Sequence, residues 1–540
     1  MTQPKNANSR WTRRRFLHGL ATTTGAAALC VCLPVQNPGC DETFALGDSR
    51  EEAPVVVIGS GFGGAVAAAR LTDAGVPVVL LERGRRWDIV GKADQPFSTV
   101  RSLDERSTWL DTHTHLPIGP RWPIRKYVGV LERRRFDGID VYTGAGYGGG
   151  SLVYGGVLLQ PRREDFAFCL PTEISYDELD SVYFPRVRER MAATTVPDDI
   201  LSAQNYTYAR VFRAQARNAG LDVVSVTSAF DWAIVRAELN GSIPASTTAG
   251  ETIVGINSGA KRSLDRNYLR DAESSGLLSV RLLTEVTQIG QQADGRYVVS
   301  CDRLSESGCV IGRQTYIANH LFLAAGSVAT ASLLVRARDT GQLPGVNEHA
   351  GTNWSNNGNV HFQRSFVGER TGANQGMPVV YGARAPEGMP AATAENAPLP
   401  VGFDCRCLLH LVVSNISTRG TFRYDESSDA VQLHFPQQAR EESRAAAAAL
   451  AQRLVDANGG TIGGPLFPDY VTDFTYHPLG GMPIGAACDH AGRVIGQPNL
   501  YVVDGALMPG CAGAVNPALG IAALAERCLD VILDDTDFPT

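Results

Sequence analysis

One segment constrains the fold of this chain more than any other. The run Val55-Val56-Val57-Ile58 leads directly into Gly59-Ser60-Gly61-Phe62-Gly63-Gly64. Four consecutive β-branched residues fit a central parallel strand buried on both faces. The Ala-rich stretch after Gly64 reads as a helix stopped by Gly75. A second apolar run, Pro77 to Leu81, then ends at Glu82. Strand, glycine turn, helix, strand and acid at this spacing form a dinucleotide-binding fingerprint. Gly59 permits the tight turn, Gly61 lets backbone approach a pyrophosphate, and Gly64 lets helix and strand pack closely. The helix N-terminus at Phe62 and Gly63 faces the phosphates, and Glu82 accepts from ribose hydroxyls.

The chain has 540 residues, too many for one simple core, so two domains are expected. A formal net charge of -7 offers no basic field, so nucleic acid is not expected as a partner. The run Arg133-Arg134-Arg135 lies between Glu132 and Asp137 and reads as a solvated basic face. None of the 11 cysteines has metal-ligand spacing. Cys405 and Cys407 share one face if extended, but no CxxC or His pair follows, so no metal is expected. Cys301 and Cys309 flank DRLSESG, read as a hairpin turn, and an exported chain would permit a bond between them.

Residues 12–18 read Thr-Arg-Arg-Arg-Phe-Leu-His, followed by small and apolar residues from Gly19 to Leu33. This is the pattern of a twin-arginine export signal, with an apolar stretch shorter than the about 20 residues a spanning helix needs. Residues 1–45 are expected to be signal and linker, and the protein to be secreted, periplasmic or at the cell surface. Cys40 after Gly39 offers a lipid attachment point, although Gln36, Asn37 and Pro38 fit such a signal poorly.

Three later segments bear on the ligand. Gly144-Ala145-Gly146-Tyr147-Gly148-Gly149-Gly150-Ser151 is dense in glycine, as expected where backbone meets a flat ligand. His320-Leu321-Phe322-Leu323 reads as a strand ending at a small-residue turn, Ala324-Ala325-Gly326, before a helix. A strand returning to the cofactor late in the chain favours FAD over NAD. The C-terminal part holds Tyr476-His477-Pro478-Leu479-Gly480-Gly481, the strand Leu500-Tyr501-Val502-Val503-Asp504-Gly505, and Val515-Asn516-Pro517 before a helix. Asn516 suits the N-cap and Pro517 the first helical position. That helix terminus, aimed at a flavin, would stabilise the charge developed on reduction.

Together these segments resemble the glucose–methanol–choline (GMC) oxidoreductases and, within them, the bacterial cholesterol oxidases. YHPLGG at 476–481, LLVRARDTGQLP at 333–344, RGTFRYD at 419–425 and GGGSLVYGG at 148–156 carry the likeness, from about Val55 to the C-terminus. The resemblance implies an α/β fold. A Rossmann-like FAD/NAD(P)-binding domain (50–160, 250–340, 485–540) would join a mixed-sheet substrate-binding domain covered by helices (161–249, 341–484). It implies non-covalent FAD, since SLVYGG lacks the His that attaches flavin in some relatives. Cofactor contacts are implied for Gly59, Gly61, Phe62, Gly63, Gly64, Glu82, Gly144, Gly148, Gly149, Gly150, Ser151, Val286, Ala325, Gly326, Asp504, Gly505, Asn516 and Pro517.

By the same resemblance His477 accepts a hydrogen bond from the substrate hydroxyl and helps take its proton. Asn516 bonds the substrate oxygen, and Glu395 moves a proton along a steroid ring. The implied reaction oxidises a 3β-hydroxysteroid to the 3-ketone, reduces O2 to hydrogen peroxide, and isomerises the 5-ene-3-one to the 4-en-3-one. A monomer with transient membrane-surface contact is expected, under a lid drawn from residues 85–125. That stretch carries Trp87, Phe97, Trp109, Leu110 and Trp122, for which core packing is an equal account. Tyr154 stands where the family usually has Asn, and Ala518 where the cholesterol oxidases carry Phe. These departures keep open a dehydrogenase or oxidase for another large apolar alcohol. A secreted flavin- or sterol-binding protein without turnover is the alternative from another class.

Overall fold

The computed structural model describes residues 48–89, 95–117, 119–464 and 466–538. The twin-arginine segment and Cys40 lie outside the described residues. The fingerprint strand runs Asp48–Ile58, longer than its apolar half alone implies. Its acidic N-terminal half pairs in parallel with Arg313–Ile317. Backbone pairing needs no apolar side chain, and Glu51 is held there by Arg281 at 2.9 Å and Gln314 at 3.2 Å.

This strand lies in a seven-stranded sheet, parallel to Val78–Leu81 on one side and Val310–Leu323 on the other. Leu278–Arg281 and Leu500–Val502 add parallel neighbours, and Tyr297–Leu304 and Thr284–Gln291 continue antiparallel. Val55, Val56 and Val57 are wholly buried, as a strand covered on both faces requires. The fingerprint helix, Phe62–Asp73, packs against the C-terminal helix, Ala518–Asp535. Glu526 of the latter is buried and accepts from Arg70 at 2.7 Å and Tyr268 at 2.8 Å.

A six-stranded sheet runs in the order Thr461–Ile462, Val360–Ser365, Leu408–Ser414, Ala392–Ala397, Tyr381–Arg384, Asp222–Ser225, with every neighbouring pair antiparallel. Phe362, Ala394, Leu408 and Val412 share a core with residues of the helices Thr207–Asn218 and Gln437–Asn458. Alternate positions, His361, Glu395, Leu409 and Leu411, line a cavity on the other face. The molecule is α/β, with one sheet built for a dinucleotide and another that presents side chains to the same cavity.

Several expectations are corrected. DRLSESG is a hairpin turn, closed by Ser305 N donating to Cys309 O at 2.8 Å. Yet Cys301 pairs across the ladder with Gln314 and is a free buried thiol, and Cys309 is disulfide-bonded elsewhere. A register shift at Arg303/Leu304 leaves Cys309 in the turn, so the two cysteines do not meet. Instead Cys169 and Cys511, separated by 342 positions, are bridged. The basic run is not simply solvated: Arg133 pairs with Asp140 at 2.9 Å and Arg134 with Glu132 at 3.1 Å, and Arg134 lines the cavity. Of the aromatics in 85–125, Trp87 and Phe97 stack on each other at 5.1 Å and are buried, as is Trp109; Trp122 stays exposed. Core packing therefore accounts for the first three. Among the described residues no cluster could hold a metal ion and no helix is long and apolar enough to cross a membrane.

Candidate active site

A single cavity of about 850 Å³ connects the fingerprint with the inner face of the six-stranded sheet. Its floor depends on missing side chains. A Cβ on Gly64 would lie 1.9 Å from Gly59 O, which is why helix and strand approach so closely. Gly149, with φ +53°, would place a Cβ 2.7 Å from the Gly61 Cα, so the glycine cluster rests on the fingerprint turn. A Cβ on Gly61 or Gly150 would meet nothing within 4 Å; both residues border the cavity, leaving bare backbone beside open space.

Gly59, Gly61, Phe62, Gly63, Glu82, Gly144, Gly149, Gly150, Val286, Ala325, Gly326, Asp504, Gly505, Asn516 and Pro517 all line this cavity. Gly64, Gly148 and Ser151 do not. Their part is to build the wall: Ser151 Oγ donates to Gly148 O at 2.6 Å and accepts from Leu264 N at 3.0 Å. Glu82 Oε2 accepts from Ser60 Oγ at 2.5 Å and Oε1 from Gly84 N at 2.8 Å, which aims the carboxylate along the cavity edge. Asp504 Oδ2 accepts from Gly326 N at 2.7 Å and Thr330 Oγ at 2.6 Å, locking the two small-residue turns together.

His477, Asn516 and Glu395 come from distant segments and meet on the cavity. Asn516 does not cap its helix: the cap position falls at Pro517 without a side-chain bond. Its Nδ2 donates instead to Glu395 Oε2 at 3.2 Å. Glu395 is fully buried, its Oε1 has no protein partner, and burial raises its pKa to about 7 against the Asn516 bond.

Sequence reasoning missed Asn359. Its Oδ1 accepts from Thr475 Oγ at 3.0 Å and from the Tyr476 amide at 3.4 Å, so its Nδ2 donates to His477 Nδ1 at 2.9 Å. A neutral imidazole that accepts at Nδ1 carries its proton on Nε2. The ring stays neutral because burial lowers its pKa to about 3; its remaining surface opens on the cavity. In this tautomer Nε2 is the donor, where an acceptor was expected. Asn516 Nδ2 lies 3.5 Å from it, two donors side by side rather than a hydrogen-bonded pair. Together they suit a substrate oxygen, and the unpartnered Glu395 Oε1 is a proton acceptor on the same cavity.

The sequence also gave no sign of Lys261, buried behind the wall. Its ammonium donates to Leu152 O at 2.6 Å and Tyr154 O at 3.0 Å. Those carbonyls turn back from the cavity that Val153, Tyr154 and Gly155 line. Burial lowers the Lys261 pKa to about 7.

Family models described as GMC oxidoreductase match residues 55–353 and 417–525, and one described as GMC oxidoreductase, C-terminal, matches 357–468. The chain belongs to the GMC oxidoreductase family. Among curated GMC relatives it is 26% identical over 564 residues to a cholesterol oxidase of Mycobacterium tuberculosis, covering 88% of this chain and 90% of that one. It is 25% identical to a cholesterol oxidase of Acinetobacter baumannii, covering 88% and 94%. Pyridoxine 4-oxidase from Mesorbium loti shares the fold, with a TM-score of 0.60 at 17% identity, covering 90% of this chain and 100% of that one. A fungal aryl-alcohol oxidase does so at TM-score 0.59 and 15% identity, covering 90% and 99%. GMC oxidoreductases normally bind FAD, and the residues here fit it: a bare glycine cradle, a helix N-terminus and Glu82 at one end, His477 and Asn516 at the other.

Proposed function

We propose that this GMC oxidoreductase is an exported oxidase that binds FAD non-covalently and oxidises a 3β-hydroxysteroid, or a sterol-like alcohol, to the ketone. One observation carries this reading. A donor pair and a near-neutral carboxyl converge on an apolar cavity continuous with the dinucleotide site. The cavity beyond them is walled by Met377, Val379, Leu399, Leu409, Leu411 and Phe467, a lining suited to a large apolar body with one polar end.

Bound FAD supplies the hydride acceptor and the route of the electrons to O2, giving hydrogen peroxide. His477 Nε2 and Asn516 Nδ2 donate to the substrate oxygen and hold its carbon in one orientation. Charge developing on that oxygen meets two preoriented donors in a dry site. Glu395 Oε1 receives the hydroxyl proton. With the ketone formed and that proton given up to the hydrogen peroxide being made, the freed Glu395 carboxylate takes a proton from C4 of a 5-ene-3-one and returns it at C6, giving the conjugated 4-en-3-one. In this scheme the lid is drawn from within 85–125, of whose described residues Val100, Leu116 and Pro117 line the cavity.

A second substrate reading rests on Ala518, which lines the cavity as a small residue, and on His361. The buried His361 ring stacks on Phe474 at 4.5 Å and opens on the cavity, where a planar alcohol would fit. The test is peroxide release by yellow, purified protein given cholesterol in air, with enone absorbance followed in parallel. Peroxide with enone supports the whole scheme. Peroxide without enone removes the isomerisation. Neither, despite bound flavin, rules out the sterol oxidase. No turnover of any alcohol by the flavin-loaded protein, with His477→Ala indistinguishable from the parent, would favour a binding protein without catalysis.

A further inference from the structure

The loop Pro398–Cys407 joins the strand that carries Glu395 to the next strand of the sheet, and Pro398, Leu399, Pro400 and Val401 line the cavity. It ends in a tight turn. Arg406 has φ +48°, and Asp404 Oδ1 accepts from Arg406 N and Thr371 N, each at 3.1 Å. The turn folds Cys405 and Cys407 together: the Cys407 thiol donates back to Cys405 O at 2.9 Å. Both are free; Cys405 is half-exposed and Cys407 is buried beneath it. Cys407 Sγ lies 3.8 Å from Ser365 Oγ, which donates to Gly463 O at 2.8 Å, close to the cavity residues Leu466 and Phe467.

We propose that Cys405 and Cys407 form a dithiol centre that reduces hydrogen peroxide and closes to a disulfide beside the substrate cavity. The source of the peroxide rests on the oxidase reading above; the centre itself does not. The Cys407 thiolate attacks one peroxide oxygen, the O–O bond breaks, and hydroxide takes up a proton to leave as water. The Cys405 thiol then attacks the resulting sulfenic acid, forming the S–S bond and releasing a second water. Two thiols lose two electrons in all, and one peroxide gains them. A small dithiol reductant returns the pair to its starting state.

Selectivity follows from surroundings. The polar neighbours of Cys407, Cys405 first and then Ser365 and Gln363, hold its thiol below the usual pKa despite burial and the Asp404 charge, while the neighbouring Cys407 and burial push the Cys405 thiol up. The other free thiols of the described residues are inert by the same logic: burial pushes Cys301 and Cys528 up to about 12 and Cys488 well above its ordinary value.

The experiment treats FAD-loaded, dithiothreitol-reduced and desalted protein with a few equivalents of hydrogen peroxide. Denaturation in an alkylating reagent and peptide mapping follow. The expected result is a peptide containing residues 405–407 that is 2 Da lighter and unlabelled, with Cys301, Cys488 and Cys528 labelled in full. Cys405→Ser is expected to trap a sulfenic acid on Cys407 that reacts with a dimedone probe, and Cys407→Ser to leave Cys405 reduced. Equal labelling of Cys405, Cys407 and the three buried thiols after peroxide would overturn the proposal. So would a 405–407 bridge that dithiothreitol cannot open, since that is a structural bond. A final arm replaces added peroxide with an alcohol substrate in air, with and without catalase. If added peroxide closes the pair and turnover does not, the dithiol centre stands and the oxidase reading fails.

Discussion

Asn359 never contacts the dinucleotide end of the cavity, yet it decides which nitrogen of His477 carries a proton. Asn359→Leu removes the donor to Nδ1 and frees the ring to change tautomer. The expected outcome is a fall in kcat of about 10- to 100-fold with little change in KM, checked by steady-state kinetics. Glu395 carries a pH signature. Because burial raises its carboxyl to about 7, the folded protein prefers the neutral acid. The associated stabilisation is complete below about pH 4.5, the ordinary value, and is lost as pH climbs through 7. Glu395→Gln should therefore gain stability relative to the parent between pH 5 and 8, by on the order of 3 kcal/mol at most, read from urea midpoints. The same variant should lose the rise of kcat/KM with pH near 7, release peroxide more slowly than the parent and form no enone. Lys261 also titrates near 7, so Lys261→Met serves as the control: it should weaken FAD binding by ~10-fold, the scale of one lost charged hydrogen bond, and leave the Glu395 pH limb in place.

At the scale of elements, the glycine turns separate folding from binding. A Cβ on Gly61 meets no protein atom, so Gly61→Ala should leave the melting temperature of the flavin-free protein unchanged while FAD affinity falls at least ~10-fold. Gly149→Ala faces both a left-handed φ and a 2.7 Å approach to Gly61, so it should lower both stability and affinity. Differential scanning calorimetry of the apo form, paired with flavin titration, distinguishes them. The six-stranded sheet shows what period-two patterning achieves. In Val360–Ser365 the even positions Val360 and Phe362 pack into the helix-side core, and the odd position His361 reaches the cavity. This alternation is readable along any one strand, but which face meets the flavin is not.

The whole molecule is held by contacts between segments far apart in the chain. Asn516 sits five residues after Cys511, whose bridge to Cys169 ties the substrate-oxygen turn to the helix Arg163–Cys169. Breaking it with a Cys169→Ser/Cys511→Ser pair is expected to cost about 3 to 5 kcal/mol, the range for closing a long loop, seen as a lower urea midpoint under non-reducing conditions. A loss of kcat beyond the loss of stability would show that the bridge also positions Asn516.

The fingerprint from Val55 to Glu82 was legible because its demands are local: strand, turn and helix follow from neighbouring residues, and the glycines have one conformational reason each. The family motifs single out His477, Asn516 and Glu395 as candidates from the sequence. Other features lay beyond reach. Asn516 looked equally like a helix cap, since cap and catalytic asparagines share one local pattern; only the approach of Glu395 from 121 positions away separates them. Asn359 and Lys261 carry no motif, because a second partner to a histidine or a carbonyl can come from any strand or loop that packs nearby. Ser151 and Gly148 were assigned to the ligand by their company, while the structure turns them to the supporting side. The sequence alone thus determined the dinucleotide turn, the family and the residues that could do chemistry. Tertiary structure decided their protonation and direction, because burial and hydrogen-bond geometry are set by segments that the chain brings together only on folding.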